Sequence, residues 1–333
     1  MGKLNELDIV RRIEKKFAGP AKGLVTGIGD DCAVIAPTLG CEVVVTTDTL
    51  VEGVHFRCDL SPARLIGEKS AAVNLSDVAA MGAKPKFCFL SLTLTNKIDG
   101  RWVASYLAGF EKTVKKHGVA LAGGNVAMAG RDLSFTVTLM GEVKPKLKVL
   151  RSGAKPGDHV FVTGTPGDAI LGLNLSLKKK KQYSTNERKL IKRHQAPTPR
   201  VEWGMALAKS GAVSAMIDIS DGVALDLTRM MDASKTSAEI DLMRFPLSQA
   251  AFGILETGKT KTWETILTGG EDYELLFTVR EEKFKKVMEL IKQGKIDASP
   301  IGLVTKRKRK PVLILDPEER EVNLSRLGFI HRI

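Results

Sequence analysis

The chain has 333 residues, 43% hydrophobic and 27% charged, and its 51 Lys and Arg against 38 Asp and Glu give a formal net charge of +13. That length suits two domains of ordinary size, and the balance excludes low-complexity and disordered classes. No apolar run approaches membrane-spanning length, and the opening residues match neither a secretory signal nor a myristoylation site, so no membrane partner is expected and the expected location is the cytoplasm.

Leu4, Leu7, Val10, Ile13 and Phe17 recur at helical spacing and predict an amphipathic helix over about 4–18. Gly27-Ile-Gly-Asp-Asp then opens a tight loop, followed by an apolar strand, Val43 to Val45, expected to end in Thr46, Thr47 and Asp48. Ser61-Pro62 starts a helix that runs toward Met81, with Asn74-Leu-Ser-Asp77 inside it or near its end and Gly82 as its stop. Phe87 to Leu94 reads as a strand and Arg101 to Lys116 as a helix. Val119 to Ala122 is a short strand running into Gly123-Gly124-Asn125, and Ser134 to Val143 alternates as a half-buried strand. Lys144 to Lys146 and Ser152 to Asp158 mark a joint, dividing the chain into 1–147 and 148–333.

The second part restarts with a strand at His159 to Thr163, after which Gly164-Thr-Pro-Gly167 opens a helix. Pro197-Thr-Pro199 opens another, ending near Gly211. Val213 to Ile217 is a strand that delivers Asp218-Ile-Ser-Asp-Gly222 to a helix start. Gly269-Gly-Glu-Asp272 precedes a strand from Tyr273 to Val279. A helix at Glu281 to Lys292 and a strand near Ile301 to Val304 follow. Asn74-Leu-Ser-Asp77 and Asp218-Ile-Ser-Asp221, each followed by a double glycine and a strand, form a faint internal echo.

Gly253-Ile-Leu-Glu-Thr-Gly-Lys-Thr260 satisfies the phosphate-loop pattern G-x-x-x-x-G-K-[ST]. Such a loop works only after a buried strand, and Leu247 to Phe252 reads as a helix, so the match is set aside. Cys32, Cys41, Cys58 and Cys88 have no zinc spacing and are expected as buried thiols. The basic runs Lys178 to Lys181 and Lys306 to Lys310 carry no interleaved aromatics. They read as solvated loops, and a nucleic-acid partner is not expected.

Asp30, Asp31, Asp48, Asp77, Asp218 and Asp221 recur at ends of apolar segments beside Gly, Ser or Thr. Singly each could be a cap or a turn residue. Together their oxygens suit Mg²⁺, completed by substrate phosphates.

Gly27-Ile-Gly-Asp-Asp-Cys-Ala-Val34, Thr46-Thr-Asp-Thr-Leu-Val-Glu-Gly-Val-His-Phe56, Asn74 to Ala83, Ile219-Ser-Asp-Gly222 and Gly269-Gly-Glu-Asp-Tyr-Glu-Leu275 closely resemble the thiamine-monophosphate kinase family. Its superfamily includes aminoimidazole ribonucleotide synthetase, selenophosphate synthetase and the hydrogenase-maturation protein HypE. The resemblance covers nearly the whole chain in the same order. It implies an α/β fold with mixed α+β sheets in two aminoimidazole-ribonucleotide-synthetase-like domains. The first would bind ATP and Mg²⁺ and pair its sheet across a homodimer, with the active site in the cleft between the domains. It implies transfer of a phosphoryl group from ATP to thiamine monophosphate, with several Mg²⁺ ions.

The resemblance also implies site roles. Asp30, Thr46, Thr47, Asp48, Asp77, Asp218 and Asp221 match metal positions, with Asn125 where many members carry Asp. Gly124, Asn125, Arg151 and Ser220 match nucleotide contacts, and Tyr106 would flank the adenine. His55, Glu271 and Phe329 match contacts to the acceptor. Asn125 keeps a carbonyl oxygen but no charge, which weakens a metal there. The acceptor is a phosphate monoester, largely dianionic at pH 7, so no general base is expected. Another ATP-using superfamily member, or a basic nucleic-acid-binding relative without catalysis, are the alternative readings.

Overall fold

A computed structural model of the chain describes residues 6–255, 262–316 and 318–330. The chain forms two compact units, one of residues 1–78 and 83–146, the other of 79–82 and 147–333.

The first unit contains α1 (Glu6–Phe17), β1 (Leu24–Thr26), β2 (Val34–Ile35), β3 (Glu42–Val51), α2 (Ala63–Ala80), β4 (Lys84–Leu94), α3 (Gly100–Lys116), β5 (Ala120–Met128) and β6 (Ser134–Val143). Four strands form a mixed sheet in the order β3-β6-β4-β5, with β4 and β5 parallel and the other pairs antiparallel. The alternation read in β6 is realised: Phe135, Val137, Leu139 and Val143 are buried. Asp99 caps α3 by accepting from the backbone of Arg101 and Trp102, and Val103, Tyr106, Leu107 and Phe110 form its buried stripe. A Cβ on Gly109 would lie 1.8 Å from Arg64 O, and one on Gly67 2.0 Å from Tyr106 O. Glycine is what lets the backbones of α2 and α3 meet there.

Two expectations about this unit change. β3 spans ten residues, so Thr46 to Asp48 lie mid-strand, opposite Leu139 to Val137 of β6, and do not mark the strand's end. β5 likewise continues through Gly123-Gly124-Asn125, which pair with Phe89, Leu90 and Ser91.

The second unit contains β7 (His159–Thr163), α4 (Asp168–Leu177), α5 (Thr185–Gln195), α6 (Val201–Ser210), β8 (Val213–Asp218), α7 (Val223–Ser234), β9 (Ser237–Asp241), α8 (Gln249–Leu255), α9 (Thr262–Thr268), β10 (Leu275–Val279), α10 (Phe284–Lys292), β11 (Ala298–Thr305) and β12 (Val312–Leu315). Its six-stranded sheet runs β12-β9-β11-β7-β10-β8 and is antiparallel except between β12 and β9. Val160, Val162, Ile217 and Leu276 share a core with Leu171, Leu190, Leu227 and Ile266 from α4, α5, α7 and α9. Phe161 stacks on Phe277 at 5.3 Å and meets Phe284 of α10 at 5.7 Å.

Other expectations also shift. Asn74 to Asp77 lie within α2, whereas Asp218 ends β8 and Asp221 falls in the turn after it, so the two similar sequence blocks are not structural counterparts. Of the four thiols only Cys88 is buried; Cys32 and Cys58 are exposed and Cys41 is half-buried. The phosphate-loop match begins inside helix α8, and its remainder over 256–260 lies outside the described residues.

Two buried acids anchor the loop that leads into β10. Glu274 is fully buried. It accepts from Arg200 Nε at 2.7 Å and Nη2 at 2.5 Å, from Arg193 Nη2 at 2.5 Å and from Thr163 Oγ1 at 2.6 Å. Asp272 is 1% exposed and accepts from the backbone N–H groups of Gly167 and Ala169 at the start of α4. Burial nevertheless pushes its carboxyl up to about 7.

Removing Arg200 leaves a buried carboxylate short of two donors. Arg200→Met is therefore expected to cost about 3 kcal/mol of unfolding stability in a denaturant titration. Because its folded pKa lies above its unfolded one, Asp272 contributes stability that is present below about pH 4 and lost as pH rises through about 7. The stability of the wild-type chain relative to Asp272→Asn should therefore fall between pH 4.5 and 7.5, by at most about 1.4 kcal/mol per pH unit. A pH-independent difference would contradict that origin.

Candidate functional site

In the first unit, strand alternation and one helix assemble the acidic group. Val44, Thr46 and Asp48 share a face of β3, and that face meets α2. Thr46 Oγ1 donates to Asp77 Oδ2 at 2.5 Å, and Asp48 N–H donates to Asn74 Oδ1 at 3.1 Å. Asn74 is fully buried, and its other amide arm reaches Ser70 O at 3.3 Å. Thr47 points the other way, where its hydroxyl meets Thr138 at 3.1 Å. The metal role expected for its side chain therefore falls on the face opposite Thr46 and Asp77.

His55 lies just past β3. Its Nδ1 accepts the Val51 N–H at 3.1 Å, and Lys69 Nζ donates to its carbonyl at 2.9 Å. An Nδ1 that accepts places the proton of the neutral ring on Nε2, which makes that nitrogen a donor. Asp30 is exposed and caps its own turn by accepting from Asp31 N–H at 2.8 Å. Gly124 and Asn125 are exposed on β5, an edge of the sheet.

Tyr106 is a correction. It is 1% exposed, its hydroxyl meets Ser70 at 2.8 Å, and its ring packs on Phe135 at 4.4 Å and Trp102 at 5.9 Å. It is a core ring, not one open to an adenine.

In the second unit, sheet register brings two motifs together. β8 and β10 are antiparallel with Asp218 opposite Leu275, so the end of one strand meets the start of the other. Ile219 N–H donates to Glu274 O, Glu271 N–H to Ser220 O and Tyr273 N–H to Ile219 O, at 2.8, 2.8 and 2.9 Å. A Cβ on Gly270 would sit 2.3 Å from Ser220 O. Glycine at 270 is required by that approach. Glu271 and Tyr273 both take positive φ, +72° and +52°, a conformation held by these bonds. Phe329 joins the same group, its N–H donating to Asp221 O at 3.0 Å, with 45% of the residue exposed. Asp218, Ser220, Asp221, Glu271 and Phe329 are thus neighbours, although more than a hundred residues separate the first from the last. Arg151 is exposed.

Sequence reading missed the groups that hold this turn. Asp226 is fully buried and its Oδ2 accepts from both Ser220 N–H and Asp221 N–H, at 3.1 and 3.0 Å. Burial raises its pKa to about 6. Arg229 bridges Asp221 Oδ2 at 2.6 Å and Asp226 Oδ1 at 2.7 Å. Their spacing on one face of a helix that starts at Asp-Gly was the readable signal.

Among the described residues no group of three or more His, Cys, Asp and Glu gathers in metal-binding geometry. The donors present are carboxylate, hydroxyl and amide oxygens, which suit a hard cation that takes further ligands from substrate phosphates. The residues fit Mg²⁺ on those terms. The basic run at 306–310 is largely neutralised: Arg307 pairs with Asp232 at 2.7 Å, Lys308 with Glu239 and Lys310 with Glu321. In the other run Lys180 meets Glu187 at 2.6 Å. No helix among the described residues is long and apolar enough to cross a membrane.

Family models described as "AIR synthase related protein, N-terminal domain" and "C-terminal domain" match residues 29–143 and 155–314. A thiamine-monophosphate kinase of Buchnera aphidicola subsp. Schizaphis graminum is 37% identical over 332 residues, 99% of each chain. The crystal structure of thiamine-monophosphate kinase from Stenotrophomonas maltophilia K279a superposes with a TM-score of 0.81 at 33% identity, covering 92% of this chain and 95% of that one. A structure described as AaThiL complexed with AMPPCP and TMP matches with a TM-score of 0.77 at 31% identity, covering 99% and 98%. With the match running through both units and across the motifs that build each acidic group, the chain belongs to the thiamine-monophosphate kinase family.

Proposed function

We propose that the chain transfers the terminal phosphoryl group of ATP directly to the phosphate of thiamine monophosphate, giving thiamine diphosphate and ADP. The observation that carries this reading is the packing of Glu271 and Phe329, a carboxylate and an exposed ring, against the Asp218–Asp221 turn. An anion and an apolar plane together suit an acceptor with a cationic heteroaromatic body. Near-full-length likeness to proteins named for this activity supports it.

Asp30, Thr46, Asp48, Asp77 and Asn125 of the first unit, and Asp218 and Asp221 of the second, would hold Mg²⁺. When bound, Mg²⁺ would neutralise the phosphate oxygens of two polyanions that otherwise repel. Gly124, Asn125, Arg151 and Ser220 would contact the nucleotide, and His55 would donate from Nε2 to the acceptor. The acceptor's phosphate needs no deprotonation at pH 7, so these residues position and neutralise, and none acts as a base. Asn125 lowers the charge at its position, which favours weaker cation binding there.

We propose too that a second copy of the chain pairs along β3. That strand is an edge of the four-stranded sheet, with Val43 and Val45 exposed at 41% and 61%. An edge that combines open backbone groups with exposed valines is a template for pairing.

ADP release should require both thiamine monophosphate and Mg²⁺. Asp77→Asn or Asp218→Asn should lower turnover by at least about a hundredfold while the folded chain persists by circular dichroism. Near-normal turnover in either variant would remove that residue from the set. Light scattering should give twice the 36.2 kDa chain mass for the wild-type protein and a shift toward the single-chain mass for Val45→Lys.

A further inference from the structure

The last turn of α5 reaches the Gly269–Leu275 loop twice. Arg193 Nη2 binds Glu274, and the next residue, His194, brings Nδ1 to 3.1 Å from Glu271 Oε2. His194 is 7% exposed, and Nδ1 has no aligned hydrogen-bond partner, so the approach to Glu271 is close but bent. A carboxylate only accepts, so the nitrogen facing it must carry a proton.

Glu271 cannot complete this bond by moving its backbone. Its N–H is fixed to Ser220 O, its φ is +72°, and Asp272 and Tyr273 are anchored on its far side. Only its side chain can swing. The two side chains are also unequally accessible, 9% for His194 and 23% for Glu271, so an incoming molecule meets the carboxylate and not the ring behind it.

We propose that His194 is a positioning residue for the acceptor, acting through Glu271. Nδ1–H takes one oxygen of the carboxylate and turns the other toward the acceptor. Binding aligns the bent contact, so the ring contributes to holding the acceptor and not to the transfer step. This rests on the reading that Glu271 contacts thiamine monophosphate.

Steady-state kinetics on the full chain test it with three substitutions. Asn places its amide nitrogen near the position of Nδ1, Gln places it nearer Nε2, and Leu has no donor. His194→Leu and His194→Gln should raise KM for thiamine monophosphate about tenfold, the scale of one lost hydrogen bond to a charged group. KM for ATP and kcat should stay within about twofold, and His194→Asn should restore the acceptor KM to within about threefold of wild type. Glu271→Gln should raise the same constant. If Glu271→Gln raises it and neither His194→Gln nor His194→Leu does, the role of His194 is wrong while that of Glu271 stands. If Glu271→Gln leaves it unchanged, the reading of Glu271 fails and the proposal falls with it. Equal loss in Asn and Gln variants, with kcat falling alongside, would show that His194 only fills space. The Asn and Gln pair decides the matter even if the Leu variant does not fold.

Discussion

The burial of Glu274 is the constraint on which the second unit depends. A carboxylate with no solvent contact is tolerable only when several donors converge on it. Arg193, Arg200 and Thr163 come from α5, from the turn before α6 and from β7. Meeting that demand fixes where three elements end relative to the start of β10. The neighbouring Asp272 then ties the same loop to the first turn of α4. Between these anchors Glu271 has almost no backbone freedom, which is what a residue that recognises a ligand needs. The stability spent on burying these charges is recovered as position.

The two acidic groups use a common device in different scaffolds. In each, an aspartate expected to meet a cation already has a donor: Thr46 for Asp77, Arg229 for Asp221. Asn74 and Asp226, both fully buried, hold backbone N–H groups instead, Asn74 that of Asp48 and Asp226 those of Ser220 and Asp221. A carboxylate without a cation would otherwise face its neighbours' charge unrelieved. The hydroxyl and the guanidinium relieve it in different ways. Thr46 gives Asp77 a neutral donor, whereas Arg229 brings a full charge shared between Asp221 and Asp226.

Much of this was legible because the relevant patterns are local. The period-two run of β6 and the helical stripe of α3 each carry their own signal, and both form as read. α5 was missed because only Leu190 and Ile191 break its polar run, yet Ser184-Thr-Asn-Glu187 is a capping box that announced its start. The short strand Ser237–Asp241 is set by pairing with Val312–Leu315 on one side and β11 on the other, which no window of sequence contains. Tyr106 shows two signals in conflict. Its spacing with Val103, Leu107 and Phe110 places it on the buried stripe, and the packing follows that spacing.

The length of β3 carries the last step. Read as a strand that stops at Asp48, the Thr-Thr-Asp run would present three oxygens together in a loop. As the middle of a ten-residue strand it must send alternate side chains to opposite faces. Thr46 and Asp48 go to α2, and Thr47 goes to the ladder it forms with Thr138, beside which Thr49 meets Thr136 at 2.8 Å. The oxygen group on that face is therefore narrower than the motif suggests, with Thr46 and Asp48 from the strand and Asp77 from the helix. It is also stiffer, because β6 sets the register of every residue in the run. A loop can adapt its oxygens to whatever meets them, whereas a strand fixes them in advance.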